Sequence, residues 1–371
     1  MTTPQPRHIL LTTDAVGGVW TYALDLAAGL LARGTAVTLA VLGPAPRPGQ
    51  RRAAESVTGL TVVETGLPLD WTAEHPEAVA QAARGVAALA AARGVDLVHL
   101  NTPALAAEAR FSVPVVGGCH SCLASWWSAV KGEAPMPDAF RWRTDLLARG
   151  YAGCDRLIAP SYAFMQTTAA FYGALPQAVH NGRASPAPAT RAARNPVVLT
   201  SGRLWDEGKN VRTLDRAAGR MRGQVHAAGA LRGPDGQGVD FEHILCLNQL
   251  DPAVLAALLE RSAVFASLSL YEPFGLGVLE AAQAGCALVL SDIPTFRELW
   301  QGAAVFVAAD DDAAVAGALD GLLDDPERAA ELGRAAMARS ARFTVDAMVE
   351  GTLAVYGEVL AARAPFAEAA A

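Results

Sequence analysis

Two carboxylates, Glu272 and Glu280, stand eight positions apart in the stretch EPFGLGVLE, with a Pro-Phe-Gly turn between them. A helix beginning near Leu276 leaves Glu272 on the preceding loop and carries Glu280 within it. A loop carboxylate and a helix-borne one suit the hydroxyls of two sugar rings, a donor hexose and a ribose. The backbone N–H groups of Phe274, Gly275 and Leu276 would face an anion at the helix N-terminus. A second set, Arg203 and Lys209 in GRLWDEGKN, follows a strand and precedes a helix. Arg offers a planar fork and Lys a point charge, a combination that suits a diphosphate. Basic residues at a helix start oppose the helix dipole, so a bound anion explains them better than a plain solvated surface. Gly17 and Gly18 in TTDAVGGVW form a third candidate. Paired glycines let backbone approach a ligand at a helix start. The segment is not G-x-G-x-x-G, which weakens a dinucleotide reading, and a simple tight turn would look the same.

Other residues invite chemistry less strongly. Cys119 and Cys122 flank His120 in a C-x-x-C, but no second Cys pair follows at zinc spacing, and a structural zinc takes four ligands. With five Cys in 371 residues, reduced thiols are expected rather than a disulfide framework. No DxD-type pair closes a strand, so no metal is expected at the donor site. Asp310, Asp311 and Asp312 read as a solvated loop. Residues 123–143 are unusual for a connector, holding Trp126, Trp127, Lys131, Phe140, Arg141, Trp142 and Arg143. Such aromatics stack on sugar rings, sit at membrane interfaces or fill a core; all three readings stand, with Trp126 and Trp127 the acceptor candidates.

The elements that must position these groups follow from periodicity. Short β-branched runs alternate with Ala- and Leu-rich stretches, the pattern of a parallel sheet built from βαβ units. Strands are expected at 8–13, 36–42, 60–65, 96–101, 113–117, 156–159 and 177–180, and again at 197–201, 224–228, 243–247, 264–267, 287–291 and 305–308. Helices are expected at 20–33, 76–93, 139–150, 211–221, 253–261, 276–284 and 313–323. Residues 181–196, rich in Pro, Ala and Arg, read as a linker. Two doubly wound domains are thus expected, residues 1–185 and 186–343, with residues 344–371 forming one or two further helices. Each motif falls at the carboxyl end of a strand, where open α/β sheets bind ligands.

Composition sets outer bounds. The chain is 52% hydrophobic and 18% charged, enough apolar material for two cores. A net charge of −7 gives no basic field for nucleic acid. Between residues 139 and 205 Arg outnumbers Asp and Lys is absent, a local excess that suits either an anionic ligand or a solvated surface. No apolar run is long enough to span a bilayer, and residues 1–8 carry no secretory pattern. A cytoplasmic protein is expected, with peripheral membrane contact as a variant.

The EPFG-L-x-x-LE stretch and the downstream AAQAGCALVLSDIPTFREL resemble the E-x7-E region of the retaining glycosyltransferases of family 4. The GRL…KN segment, the early Gly-Gly turn and VHNG at 179–182 are similar too. The likeness runs from about His8 to Phe343. It implies a GT-B fold, two Rossmann-like domains facing each other across a cleft, with the C-terminal helices crossing back to the first. It implies that Arg203 and Lys209 hold the donor diphosphate, Glu280 the ribose and Glu272 the transferred sugar. Gly17 and Gly18 would approach phosphate from the other domain, and His120 would lie near the reacting sugar. Ser121 follows His120 where a His-Asp pair is common. The co-substrate would be a nucleotide-diphosphate sugar, UDP- or GDP-linked, with no other cofactor, and the acceptor a saccharide, a lipid-linked or a small hydroxyl compound. The leaving diphosphate would deprotonate the acceptor on the same face, and domain closure about the linker would assemble the site. A sugar-nucleotide 2-epimerase, a dinucleotide oxidoreductase and a non-catalytic nucleotide-sugar binder are the rivals.

Overall fold

The structure is a computed structural model that describes residues 4–184, 194–234 and 236–368. Residues 185–193, within the expected linker, lie outside the described residues. The chain divides into two units. The first comprises residues up to Ser128, Glu133–Gly182 and the chain from Val345 onward. The second comprises Arg183–Thr344 together with Ala129–Gly132.

The first unit is built on seven strands: β1 (His8–Asp14), β2 (Ala36–Leu42), β3 (Thr61–Glu64), β4 (Leu97–Leu100), β5 (Val115–Gly118), β6 (Arg156–Ala159) and β7 (Gln177–Ala178). Their spatial order is β3-β2-β1-β4-β5-β6-β7, and every pairing is parallel. The helices are α1 (Gly18–Ala32), α2 (Pro48–Glu55), α3 (Pro76–Arg93), α4 (Leu123–Lys131), α5 (Asp138–Gly153) and α6 (Tyr162–Tyr172). Residues 123–143, read from the sequence as a connector, are therefore mostly helix.

The second unit has strands β8 (Asn195–Ser201), β9 (Gln224–Ala228), β10 (Leu245–Cys246), β11 (Ser262–Ser267), β12 (Ala287–Ser291) and β13 (Val305–Val307). Their order is β10-β9-β8-β11-β12-β13, again all parallel. The helices are α7 (Val211–Ala218), α8 (Pro252–Arg261), α9 (Leu276–Gln283), α10 (Pro294–Trp300), α11 (Asp312–Asp324) and α12 (Pro326–Ser340). A last helix, α13 (Val345–Glu368), belongs to the first unit. Two doubly wound parallel sheets, as the periodicity predicts, are what the chain forms.

Central strands are apolar on both faces because helices cover both sides of a parallel sheet. Ile9, Leu10 and Leu11 in β1 and Leu288, Val289 and Leu290 in β12 are fully buried, each worth about 1.5–3 kcal/mol. β7 and β10 are shorter than expected; each is an edge strand with a single neighbour. Two glycines bring backbones together. A Cβ on Gly150 of α5 would lie 2.3 Å from the Pro103 carbonyl oxygen, and one on Gly333 of α12 would lie 2.2 Å from that of Gly285. Asp311 caps α11 through the Ala314 N–H, and Asp312 pairs with Arg220; the acidic loop is structural. No helix among the described residues is long and apolar enough to cross a membrane.

In each sheet the strand order reverses at one place, between β1 and β4 in the first and between β8 and β11 in the second. Loops leaving the carboxyl ends of those strands diverge to opposite faces, which opens a crevice there.

Candidate functional site

In the second unit the loops after β8 and β11 meet at the switch point. Gly202 has φ +147 and Gly229 φ +157, and a Cβ on Gly229 would lie 1.8 Å from the Gly202 carbonyl oxygen. This close approach fixes the turn carrying Arg203. The Arg203 Nη2 donates to Asp206 Oδ2 at 2.9 Å, while Asp206 Oδ1 accepts from the Gly208 N–H at 2.9 Å. The guanidinium also lies 5.8 Å from the Trp205 ring centroid. Asn210, in the left-handed region at φ +53, donates from its side chain to the carbonyls of Leu268 and Ala309. The Leu270 N–H donates to the Gly208 carbonyl at 2.9 Å. These bonds tie the Lys209 turn to the β11 loop, and Lys209 Nζ consequently meets Glu272 Oε2 at 2.5 Å.

α9 starts at Leu276 behind Gly275, whose φ of +94 a side chain would strain. No side chain caps its first turn and no acidic residue stands there, so its N-terminal N–H groups and dipole are open to an anion. Phe274 points into the core, edge-on to Phe343 at 5.7 Å; only its backbone can serve a ligand. Glu280 lies inside α9 as expected, and Arg183 Nη2 meets its carboxylate at 2.8 Å. Arg183 is held by its own backbone, which donates to the Phe343 carbonyl and accepts from Gln283. The structure therefore gathers Arg203, Lys209, Glu272, Gly275 and Glu280 around the loops and helix that follow β8 and β11. Every charged member is already paired with an opposite charge.

The first unit presents a different surface at its own switch point. Gly17 is the extended residue before α1 and Gly18 its first residue, with no side-chain cap and no acidic residue in the first turn. The turn is closed by Asp14, whose Oδ1 accepts from the Val16 N–H at 2.8 Å. His120 follows β5, and its Nε2 contacts Asn101 Oδ1 at 2.8 Å. Asn101 follows β4; its Nδ2 donates to the Thr12 carbonyl at 2.8 Å and its N–H to Thr12 Oγ1 at 2.9 Å. The Tyr22 ring of α1 packs edge-on against His120 at 4.5 Å. Beneath, Tyr356 of α13 meets His99 Nδ1 at 2.7 Å. Burial holds His120 down to about 4 and, with His120 as a lesser cause, His99 down to about 3. His120 is therefore neutral at pH 7, a hydrogen-bonding group rather than a cation.

Trp126 and Trp127 lie on α4, both half-buried. Their rings are 6.3 Å apart, and Trp127 also meets Phe140 at 6.0 Å while its Nε1 donates to the Ala134 carbonyl at 2.7 Å. Arg143 covers Trp142 at 4.4 Å and donates to the Ala73 carbonyl. Burial, with Asp14 adding to it, pushes the Asp70 carboxyl up to about 6 against the Trp71 N–H that it accepts from and a lesser pull from Arg143. Cys119 and Cys122 are buried, and burial pushes the Cys119 thiol far up, which starves it of the thiolate that redox chemistry and metal binding need. Asn101, Arg183 and Asp206 escaped the reading of the sequence. Asn101 carried one usable signal, a polar residue at the carboxyl end of an expected strand.

Residues 16–183 match the Glycosyltransferase Family 4 profile, and residues 241–339 match Glycosyl transferases group 1. The two matches together mark the chain as a glycosyltransferase of the family 4 type. Among curated relatives of this glycosyltransferase, D-inositol 3-phosphate glycosyltransferase of Acidothermus cellulolyticus is 28% identical, over 94% of this chain and 87% of the relative. Among solved structures, sucrose-phosphate synthase of Thermosynechococcus elongatus superposes with a TM-score of 0.78 at 20% identity, over 96% of this chain and 100% of the other. The HepE protein of Anabaena, solved in complex with UDP and glucose, gives 0.71 at 19% identity, over 95% and 100%. The glycosyltransferase has the GT-B fold, two Rossmann-like units.

Proposed function

We propose that this glycosyltransferase is a retaining enzyme that moves a hexosyl group from a nucleoside-diphosphate sugar to a hydroxyl acceptor without a metal ion. The observation that carries the reading is the cluster after β8 and β11. Two cations, two carboxylates and an uncapped helix N-terminus converge there. Arg203 and Lys209 would bind the diphosphate and stabilise the charge that grows on it as the bond to the sugar breaks. Lys209 would then exchange Glu272 for phosphate, freeing that carboxylate to accept from a sugar hydroxyl. Glu280, steadied by Arg183, would accept from the ribose. The backbone N–H groups at Gly275 and Leu276 would face phosphate, as would those at Gly17 and Gly18.

In the proposed step the bond from the anomeric carbon to the diphosphate oxygen breaks, and the acceptor oxygen bonds to the same face. The acceptor proton passes to the departing diphosphate. The protein positions the partners and meets developing charge with fixed charge. No side-chain nucleophile takes part, and the two cations supply what a metal would supply elsewhere. His120 would contact the reacting sugar, and the half-buried Trp126 and Trp127 would offer ring faces to the acceptor. The relative named for D-inositol 3-phosphate and the solved relative that binds UDP and glucose support a nucleotide donor and a polyol-like acceptor.

The test is incubation with UDP- and GDP-sugars in the presence of EDTA and candidate acceptors. Release of nucleoside diphosphate, with an α-linked product by NMR from an α-linked donor, is the expected result. A β-linked product sinks the retaining assignment. A new sugar epimer would mark an epimerase, and binding with neither product a pure binder. Loss of turnover with EDTA, restored by a divalent ion, would overturn metal independence.

A further inference from the structure

The side-chain amide of Asn101 is oriented without ambiguity. One end meets the Thr12 carbonyl at 2.8 Å. A carbonyl only accepts, so the amide nitrogen must lie there. The other end is then oxygen, and it faces His120 Nε2 at 2.8 Å. An amide oxygen only accepts, so Nε2 must carry the ring proton. In a neutral imidazole the second nitrogen, Nδ1, is then a bare lone pair. Nδ1 makes no hydrogen bond among the described residues and is not one of the buried, unpartnered atoms.

We infer that Asn101 is a positioning residue that locks His120 in the Nε2–H form, so that Nδ1 accepts a hydrogen bond from a hydroxyl of the bound sugar. A ligand group that only accepts, such as a carboxylate or carbonyl, finds no partner at that atom. The lock is built into the sheet. The Asn101 N–H donates to Thr12 Oγ1 at 2.9 Å, which fixes the residue to β1. Gly118 makes the approach possible, since a Cβ there would stand 2.7 Å from His120 Nε2 and 2.8 Å from Asn101 Oδ1. Tyr22 closes one side of the imidazole. Burial keeps the ring neutral at pH 7, which the lock requires because a charged imidazole has no acceptor.

The inference rests on the proposed donor reading for its ligand, while the lock itself is a property of the free protein. Long-range proton–nitrogen NMR of the full chain, with ring nitrogens of His120 assigned through His120→Gln, reads both. Without ligand, Nε2 should appear as a protonated nitrogen and Nδ1 as an unprotonated one. The reverse pattern, or an even mixture, overturns the lock. In Asn101→Leu the pattern should become a mixture, and an unchanged pattern in the folded variant also overturns it. Should that variant fail to fold, Gly118→Ala reaches the same contact by pushing the ring from the amide.

UDP-glucose and UDP then separate the two halves. UDP-glucose should shift the Nδ1 resonance in the wild-type protein and UDP should not. If calorimetry shows that UDP-glucose binds while Nδ1 stays still, the hydroxyl contact is wrong. If UDP-glucose does not bind, the donor reading fails for that sugar, and the ligand-free spectrum still decides the lock. Where UDP-glucose turns over, Asn101→Leu should lower kcat/KM about tenfold, the cost of one hydrogen bond, with UDP affinity unchanged within about twofold. A merely structural role would lower both together and leave the tautomer untouched.

Discussion

The two switch points solve different problems with different physics. After β8 and β11 the polar groups are charged and partly open to solvent. They satisfy one another as Arg203–Asp206, Lys209–Glu272 and Arg183–Glu280. After β1, β4 and β5 the polar groups are neutral. Asn101, His99, Tyr22 and Tyr356 are buried and His120 is half-buried, with short hydrogen bonds joining His120 to Asn101 and His99 to Tyr356. In the proposed reading, charge in the second unit would be traded for the charge of a ligand, the carboxylate that leaves Lys209 turning toward solvent or a hydroxyl. Neutral groups in the first unit cannot ionise cheaply; Tyr22 is pushed up by burial just as His99 is pushed down. The second unit's surface is organised by charge, the first unit's by the direction of its hydrogen bonds.

Replacing Arg203 by Ala should break the charged side most. Expected loss in kcat/KM is at least ~100-fold, about 3 kcal/mol for a contact to developing negative charge. Near-normal turnover by correctly folded protein would remove Arg203 from the diphosphate. Lys209→Met comes next, with a fall of about 30-fold that Glu272→Gln should partly relieve, because the carboxylate stranded by the lost ammonium is then neutral as well. Independent, additive effects of the two changes would show that the ion pair has no bearing on the donor.

The neutral side is sharpened by pH. His99 has an ordinary pKa of 6.5 and is held to about 3 in the fold. Between those values the unfolded chain binds the extra proton, so stability is complete above about pH 6.5 and falls as pH drops. Asp70 works the other way. Raised from 3.8 to about 6, it keeps its proton in the fold, so its contribution is present at low pH and fades as pH rises through that window. Urea unfolding between pH 4.5 and 7 should therefore give a lower slope of stability against pH for His99→Phe than for wild type, by up to roughly 1 kcal/mol per pH unit. Asp70→Asn should raise that slope. A His99→Phe profile parallel to wild type would mean that burial there is not what keeps the ring neutral.

The smallest expected effect is at Trp127. As an acceptor platform, its replacement by Ala should raise acceptor KM several-fold with nucleoside diphosphate affinity within about twofold. As a half-buried packing residue it should cost about 1–3 kcal/mol in stability instead. Melting temperature measured beside the kinetics separates the two. A large drop with unchanged acceptor KM in the folded fraction assigns the ring to packing with Trp126 and Phe140.

What could be read from the sequence follows the same division. Charged residues at odd places announce themselves: Arg203 and Lys209 beside a helix start, Glu272 and Glu280 either side of a turn. Strands such as Ala36–Leu42 and Ala287–Ser291 are apolar enough to be placed to the residue. The neutral network was silent because its meaning lies in pairings across the fold. Asn101 meets a histidine nineteen positions away, and Arg183 reaches Glu280 from a segment that looks like linker. α12 passed unnoticed although Asp325 and Pro326 mark its start, because only Asp325 separates it from α11. Within residues 123–143 the expected helix at 139–150 is present as α5, whereas α4 is masked in the sequence by its paired Trp residues.

The first unit is assembled from both ends of the chain. Tyr356 reaches His99 across 257 positions, Arg33 and Asp155 pair with Asp346 and Arg363, and Val349 fills the space left by Gly29. A ribosome delivers the chain in order, so this half is begun first and finished last. The second unit, Arg183–Thr344, is fully made before α13 appears. Until then the nascent first sheet displays the apolar seat of a helix still to be translated, and that seat, rather than any loop, is the surface a chaperone would meet.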